Sequence, residues 1–195
     1  MTKQTDTTRR TFLAKTSVLS GLALPAVHAA ESNTIRIGLV GAGGRGTGAA
    51  INALSVKNGP VQLTAMGDVM PKKLSDSYDR LKSQHAAAVD VPPERRFLGY
   101  DSYRKVMDAL KPGDVVILGT PPAFRWPMFQ YAIERGLHCF MEKPVTVDGP
   151  TSKKMFELGK RSVEKNLKVG VGLMVRHCRA RQELHRRIQD GQIGE

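Results

Sequence analysis

A glycine-rich turn between a predicted strand and a predicted helix constrains the fold of this chain more than any other feature. The apolar, β-branched run at residues 35–40 has the pattern of a buried parallel strand, and it leads directly into Gly41-Ala42-Gly43-Gly44-Arg45-Gly46. A helix to about Lys57 follows, and Asn58-Gly59-Pro60 ends it. This order predicts the first crossover of an α/β fold.

Strands and helices continue to alternate along the rest of the chain. Further strands are predicted at residues 61–66, 96–98, 114–120, 137–141 and 168–173, and helices from Pro71, from Asp101-Ser102, and at about 124–135 and 151–164. Such alternation forms parallel βαβ units with right-handed crossovers. The sequence therefore predicts an α/β fold with a doubly wound parallel sheet of the Rossmann type.

The spacing of the glycines and of one acidic residue predicts a dinucleotide site. Gly41 permits a tight turn, Gly43 lets the backbone approach a pyrophosphate, and Gly46 lets helix and strand pack closely. The helix amino terminus offers N–H groups and partial positive charge to phosphates. Asp68, which follows the second strand 22 residues beyond Gly46, is expected to accept hydrogen bonds from the adenosine ribose.

The predicted cofactor is NAD or NADP, and Asp68 favours NAD because a carboxylate there repels a 2′-phosphate. Gly44 and Arg45 complete the expected phosphate-binding turn. Arg45, Lys72 and Lys73 weaken the preference because they are near enough in sequence to attract a 2′-phosphate. A Rossmann-like domain that binds no nucleotide is the structural alternative.

The amino terminus has the pattern of an export signal. Thr8-Arg9-Arg10-Thr11-Phe12-Leu13-Ala14-Lys15 precedes a short apolar run at residues 18–27 and small residues at 29–30. The run is shorter than the roughly 20 residues of a membrane-spanning helix, so no stable membrane insertion is expected. The paired arginines resemble the twin-arginine signal, which implies export of a folded protein to a periplasmic or other extracytoplasmic location. A disordered basic terminus is the alternative.

The net charge of +12 includes +3 from residues 1–30, so the chain without them carries +9. A cluster of arginines near the carboxyl terminus has no interleaved aromatic residues, which favours a solvated helix face or a partner surface over nucleic acid. The cluster comprises Arg176, Arg179, Arg181, Arg186 and Arg187.

The two cysteines, Cys139 and Cys178, lack metal-ligand spacing, so we expect reduced structural thiols and no metal site.

Two further motifs follow the fourth and fifth predicted strands, namely Thr120-Pro121-Pro122 and Glu142-Lys143-Pro144. With the glycine turn, Asp68 and the ending at residues 189–195, they resemble the Gfo/Idh/MocA family of glucose–fructose oxidoreductase and inositol dehydrogenase. The resemblance runs from Ile35 to Glu195. Together with the export signal at residues 1–30, it implies an NAD(P)-binding Rossmann domain at residues 31–175, and a helix and the start of a linker at residues 176–195.

The resemblance implies an oxidoreductase that acts on a sugar, cyclitol or related polyol by hydride transfer. It places Thr120, Pro121 and Pro122 beside the cofactor and Glu142 alongside the nicotinamide ribose. Lys143 lies near nicotinamide and substrate, and Pro144 shapes the turn, often through a cis bond.

The chemistry of hydride transfer fits a lysine at a strand end. Oxidation of an alcohol removes the hydroxyl proton, and a partly buried ammonium can exchange that proton, so Lys143 is the predicted catalytic residue. Arg176 and His177 follow the sixth strand and are weaker candidates for substrate contact.

On weaker grounds still, Arg125 and Trp126 are placed in the same cleft. His138 is interpreted as structural.

Members of the resembled family continue into a carboxyl-terminal α+β domain, which is absent from this chain. That domain carries a second catalytic motif, an Asp and a His, and the usual homo-oligomer interface. We therefore expect either a truncated chain with little or no turnover or a free-standing cofactor domain. Other hypotheses are an NAD-dependent glycosidase of the same superfamily, against which Lys143 argues, a non-catalytic nucleotide-binding module and a nucleic-acid binder.

Overall fold

The computed structural model describes residues 33–192 and residue 194. Six parallel strands form one sheet in the order β3-β2-β1-β4-β5-β6. The strands are β1 (Ile35–Val40), β2 (Val61–Asp68), β3 (Arg96–Leu98), β4 (Val115–Leu118), β5 (His138–Met141) and β6 (Val169–Val171). The predicted α/β fold with a doubly wound parallel sheet is confirmed.

Helices connect successive strands and follow the last one. They are α1 (Gly44–Leu54), α2 (Pro71–Gln84), α3 (Ser102–Asp108), α4 (Arg125–Glu134), α5 (Gly149–Glu164), α6 (Met174–His177) and α7 (Arg179–Gln189). Short 3-10 turns lie at Ala86–Ala88, Pro93–Arg95 and Pro122–Phe124.

The sheet reverses its winding between β1 and β4, which are neighbours paired from Ile37 opposite Val115 to Val40 opposite Leu118. The chain runs outward from β1 to β3 and then returns to β4 on the other side of β1. At such a reversal the carboxyl ends of two central strands border a crevice, where doubly wound proteins bind ligands. The glycine turn after β1 and the loop after β4 meet there.

Alternate side chains of the central strands pack on opposite faces of the sheet. Val116 and Leu118 belong to a core with α3, α4 and α5, whereas Ile117 belongs to a core with α1 and α2. All three side chains are at most 2% exposed. A strand buried on both faces needs a continuous apolar run, and this is why the sequence predicts β4 clearly.

Two helix ends differ from the predictions, the start of α5 and the end of α1. Helix α5 begins at Gly149 instead of residue 151 because Asp148 forms a capping box, in which its carboxylate accepts a hydrogen bond from the Thr151 N–H at 2.7 Å. Asp101 precedes α3 as predicted but makes no capping hydrogen bond, and it pairs with Lys105 at 2.8 Å. Helix α1 ends at Leu54, three residues before the predicted end.

The predicted export signal at residues 1–30 lies outside the described residues. Within the described part of the chain, no helix has the length and apolar character needed to cross a membrane. The predicted carboxyl-terminal helix corresponds to α7, whose residues are mostly exposed.

Candidate functional site

Close backbone contacts between glycines shape the turn after β1. Gly41 has a φ of +87°, a conformation that favours glycine. A Cβ on Gly46 would lie 1.9 Å from the Gly41 carbonyl oxygen, and a Cβ on Gly119 would lie 2.6 Å from the Gly46 Cα. Gly41 therefore makes the turn and Gly46 brings helix and strand together, as predicted, while Gly119 completes a contact of three glycines.

The amino terminus of α1 is open. No side chain caps it, and its first turn holds no acidic residue. A Cβ on Gly43 or Gly44 would meet nothing within 4 Å, so the protein leaves open space in front of the turn. N–H groups at such a terminus, with the helix dipole behind them, suit a phosphate.

Asp68 ends β2 and reaches back to the glycine turn. Its Oδ2 accepts a hydrogen bond from the Ala42 N–H at 2.7 Å, and its Oδ1 accepts one from the Met70 N–H at 2.8 Å. The residue is 8% exposed. A carboxylate offers about four acceptor positions, so each oxygen can still accept another hydrogen bond beside the turn.

Glu142 lies directly after β5 and is 5% exposed. Its Oε1 accepts a hydrogen bond from Nη2 of Arg45 at 2.8 Å, while its Oε2 is buried without a hydrogen-bond partner. A Cβ on Gly172 would lie 2.7 Å from Oε2, so the carboxylate fills the space next to the Gly172 backbone. One oxygen of this buried carboxylate therefore lacks a hydrogen-bond donor in the free chain.

Arg125 connects the loops that follow β4 and β5. Its guanidinium donates hydrogen bonds to the backbone carbonyls of Thr120 and Glu142, and its Nε has no partner. The residue is 1% exposed, so it supports the loops from below and does not line the cleft. Burial lowers the pKa of the Arg125 guanidinium, and it raises the pKa of the neighbouring Cys139 thiol to about 12.

Lys143 and Pro144 are joined by a cis peptide bond, and both residues are exposed. Lys143 borders a cavity of about 530 Å³ together with Arg45, Glu142 and Arg176. The sequence analysis expected Lys143 to be partly buried, as a lysine that exchanges a proton would be. The structure shows it exposed.

Residues after β6 form the rest of the cavity wall. Met174, Val175 and Arg176 line it, and all three are exposed. His177 lines only an adjoining cavity of about 820 Å³, which lies between α1 and the β5–β6 side of the sheet. Of the two weaker candidates for substrate contact, Arg176 thus lines the same cavity as Lys143, and His177 does not.

The other predicted site residues lie in the loop after β4 and in the first turn of α4. Thr120 follows β4 and supplies a carbonyl to Arg125, while Pro121 and Pro122 begin the 3-10 turn that leads into α4. Trp126 is half-buried on α4, where the Lys154 Nζ lies 3.9 Å from its ring centroid. It does not line either cavity.

Both cysteines are free, Cys139 buried and Cys178 exposed, and the described residues contain no group of three or more potential metal-ligating side chains. His138 accepts a hydrogen bond from the Lys168 N–H at 3.0 Å, a structural contact between β5 and the segment before β6.

The sequence prediction did not assign site roles to Gly119 and Gly172, and it placed Arg125 in the cleft. The signal for Gly119 was available, since a glycine that ends a central strand beside a glycine turn indicates close backbone approach. Gly172 and Arg125 gave no such signal because their partners lie in other loops.

Comparison with known proteins agrees with this geometry. A sequence model of the family described as "Oxidoreductase family, NAD-binding Rossmann fold" (Gfo/Idh/MocA) matches residues 35–173. An inositol 2-dehydrogenase of Corynebacterium glutamicum is 26% identical over 166 residues, covering 84% of this chain and 44% of that protein. A glycosyl hydrolase family 109 protein of Shewanella pealeana is 28% identical over 130 residues, covering 66% of this chain and 26% of that protein.

Among solved structures, scyllo-inositol dehydrogenase from Lactobacillus casei with bound NAD(H) and scyllo-inositol matches with a TM-score of 0.61 and 26% identity. The match covers 83% of this chain and 43% of that one. The chain thus spans less than half the length of the inositol dehydrogenases it matches.

Proposed function

The chain belongs to the Gfo/Idh/MocA oxidoreductase family, with its NAD-binding Rossmann fold, and from that premise we propose that it is the nucleotide-binding part of an NAD-dependent oxidoreductase. The reaction is hydride transfer between the nicotinamide and a sugar, cyclitol or related polyol. The inositol dehydrogenases among its relatives support this substrate class.

One observation carries the proposal: three complementary groups lie along the carboxyl edge of the sheet. Asp68 lies after β2, the uncapped α1 terminus follows β1, and Glu142 lies after β5 with a buried, unpartnered oxygen. A dinucleotide presents a ribose, a diphosphate and a second ribose in the same order. The residues present therefore fit this cofactor.

Bound NAD would supply the hydride acceptor, and the chain supplies binding and orientation. The α1 terminus holds the diphosphate, Asp68 accepts hydrogen bonds from the adenosine ribose, and Glu142 accepts them from the nicotinamide ribose. Lys143, at the cavity border, exchanges the substrate hydroxyl proton, and Arg176 contacts the substrate.

The contacts of the nearby cations favour NAD over NADP. Arg45 pairs with Glu142, and Lys72 pairs with Asp76 at 2.9 Å. A 2′-phosphate would have to compete with these carboxylates for two of the three cations, and the Asp68 carboxylate repels that group.

Binding by the whole 195-residue chain tests the proposal. The chain has one tryptophan, so energy transfer from Trp126 to NADH reports binding, and competition with NAD and NADP gives their affinities. We expect NAD to bind at least about tenfold more tightly than NADP, and Asp68→Asn to narrow this ratio because charge repulsion is removed.

Asp108→Asn is the matched control, since it removes an exposed carboxylate that pairs with Arg135 and should leave the ratio unchanged. Absence of NADH binding, or tighter binding of NADP, would contradict the cofactor assignment. We also propose that this chain, which spans 44% of its inositol dehydrogenase relative, turns over inositols and sugars slowly or not at all. Rapid NADH formation with such substrates would contradict that.

A second candidate is an NAD-dependent glycosidase, favoured by the match to the glycosyl hydrolase family 109 protein. Lys143 argues against it, because exported glycosidases of the superfamily typically lack a lysine at this position. Release of a chromogenic leaving group from a glycoside, dependent on NAD, would favour the glycosidase.

We further propose that residues 1–30 direct export of the folded protein through the twin-arginine pathway. The motif around Arg9 and Arg10 supports this. It is also consistent with a protein that must fold around its nucleotide before leaving the cytoplasm. Replacing both arginines by lysine should retain the protein in the cytoplasm, which cell fractionation measures.

A further inference from the structure

An ion pair crosses the cleft between the glycine turn and the end of β5. Arg45 extends from the first turn of α1 to Glu142, with 2.8 Å between Nη2 and Oε1. The two side chains differ in environment, since that of Arg45 is 62% exposed and that of Glu142 is 7% exposed. The arginine can therefore move at little cost, whereas the carboxylate is buried.

The buried partner is incompletely satisfied. Glu142 Oε2 has no hydrogen-bond partner, and the Gly172 backbone beside it leaves room for the carboxylate but for no side chain. A buried carboxylate oxygen without a donor is unfavourable. The site is therefore suited to a ligand that brings hydroxyl donors.

The exposed partner lies close in sequence to an anion site. Arg45 belongs to the turn whose Gly43 and Gly44 border open space at the helix terminus. A guanidinium binds phosphate oxygens in a bidentate manner. Solvent around the 62% exposed Arg45 side chain screens its attraction to Glu142, which we take as about 1 kcal/mol. A diphosphate at this terminus competes effectively with Glu142 for Arg45.

Resting on the proposed dinucleotide site, we propose that Arg45 and Glu142 form an exchangeable pair that selects ligands containing both a diphosphate and an adjoining ribose. In the free protein Arg45 binds Glu142. When the ligand binds, Arg45 moves to a phosphate oxygen, and a ribose hydroxyl replaces it as the hydrogen-bond donor to the Glu142 carboxylate. A ligand with the diphosphate but no second ribose leaves the Glu142 carboxylate without either partner.

Titration with ADP and NAD of the whole chain and of Glu142→Gln, Arg45→Met and the double variant tests this exchange. ADP lacks the second ribose, so Glu142→Gln should bind ADP up to about fivefold more tightly than wild type because Arg45 is released. NAD should gain nothing from the same change, since it loses its ribose acceptor. Arg45→Met should weaken ADP binding, and the gain should vanish in the double variant.

Asp108→Asn is the matched control for a general charge effect. Asp108 pairs with Arg135 at 3.2 Å near the ends of α3 and α4, which run back to the opposite edge of the sheet. It should leave ADP affinity unchanged. Thermal melts of each variant exclude misfolding as a cause of weaker binding.

Two results would overturn the exchange alone: wild type binds both ligands but Glu142→Gln shows no gain for ADP, or the gain persists in the Arg45→Met background. The second result would mean that Glu142 simply repels the diphosphate. If neither wild type nor Glu142→Gln binds ADP or NAD, the exchange and the proposed function both fail.

Discussion

The two ends of the binding edge differ in how fully their polar groups are satisfied. At the end formed by β1 and β2, both oxygens of Asp68 accept backbone hydrogen bonds. At the β5–β6 end, Glu142 Oε2 and Arg125 Nε have no partner, and Met174 and Val175 are 68% and 58% exposed. Backbone hydrogen bonds therefore hold the Asp68 side chain at the first end of the free chain, whereas the second end retains side-chain atoms without a partner.

This difference teaches where substitutions should affect folding and where they should affect binding. The first end depends on backbone contacts between glycines, which cannot shift without moving strands. The second depends on side chains such as Glu142, which can be displaced while the sheet stays intact.

The largest expected effect is at the glycine contact. Gly46→Ala places a Cβ 1.9 Å from the Gly41 carbonyl oxygen, and we expect a loss of about 3 kcal/mol or more in unfolding free energy. Chemical denaturation measures it. Gly48→Ala is the control, because a Cβ there meets nothing within 4 Å and should stabilise α1 by about 1 kcal/mol. Equal stability of Gly46→Ala and wild type would show that the turn is not tightly packed.

The next largest effect is expected at Arg125, which holds the loops after β4 and β5. Arg125→Met leaves the carbonyls of Thr120 and Glu142 without their donor, at an expected cost of about 2 kcal/mol in unfolding free energy and a further loss of NAD affinity. Arg125→Lys should recover part of both because one charged donor remains. If both variants lost stability but bound NAD normally, the loops would not depend on Arg125 for their positions.

A smaller effect is expected beside Glu142, and on binding alone. Gly172→Ala brings a Cβ within 2.7 Å of Glu142 Oε2, which can move because it ends a flexible side chain. We expect a change of less than about 0.5 kcal/mol in unfolding free energy but roughly tenfold weaker NAD binding. Gly159→Ala, on α5 with nothing within 4 Å, should leave affinity unaltered. If Gly172→Ala unfolded, this end would tolerate an added Cβ no better than the first end does.

The smallest effect is a pH dependence at the start of α5. Hydrogen bonds from the Thr151 side chain and N–H hold the pKa of Asp148 below its usual 3.8. A carboxylate whose pKa is lower in the folded than in the unfolded chain stabilises the folded state at pH values above its unfolded-state pKa. This stabilisation is lost as the pH falls through its folded-state pKa. Asp148→Ala should therefore be less stable than wild type at neutral pH, and the difference should shrink below pH 3.8 in denaturation series. If the difference in unfolding free energy between wild type and Asp148→Ala did not change with pH, the charge of Asp148 would not contribute to stability.

The sequence predicted features whose physical cause lies within a few residues. The β4 run is apolar because both faces of that strand are buried, and Gly41 and Gly46 have a spacing that the turn itself requires. The prediction of an α/β sheet followed from such segments.

Features that depend on distant residues escaped prediction. An arginine at the start of a helix has no local reason to be buried, yet Arg125 is buried because two carbonyls from separate loops converge on it. Gly172 is constrained by a carboxylate 30 residues earlier in the chain. Lys143 was expected to be partly buried, but the loop after β5 leaves it exposed.

The hydrogen bonds of Arg125 have a mechanical consequence for the cleft. One guanidinium holds the loop after β4 by Thr120 and the loop after β5 by Glu142, in both cases through the main chain. The two loops are therefore tied together, and a displacement of one is transmitted to the other. A substrate that pushes on the segment next to Lys143 would also shift the wall against which the nicotinamide is proposed to rest.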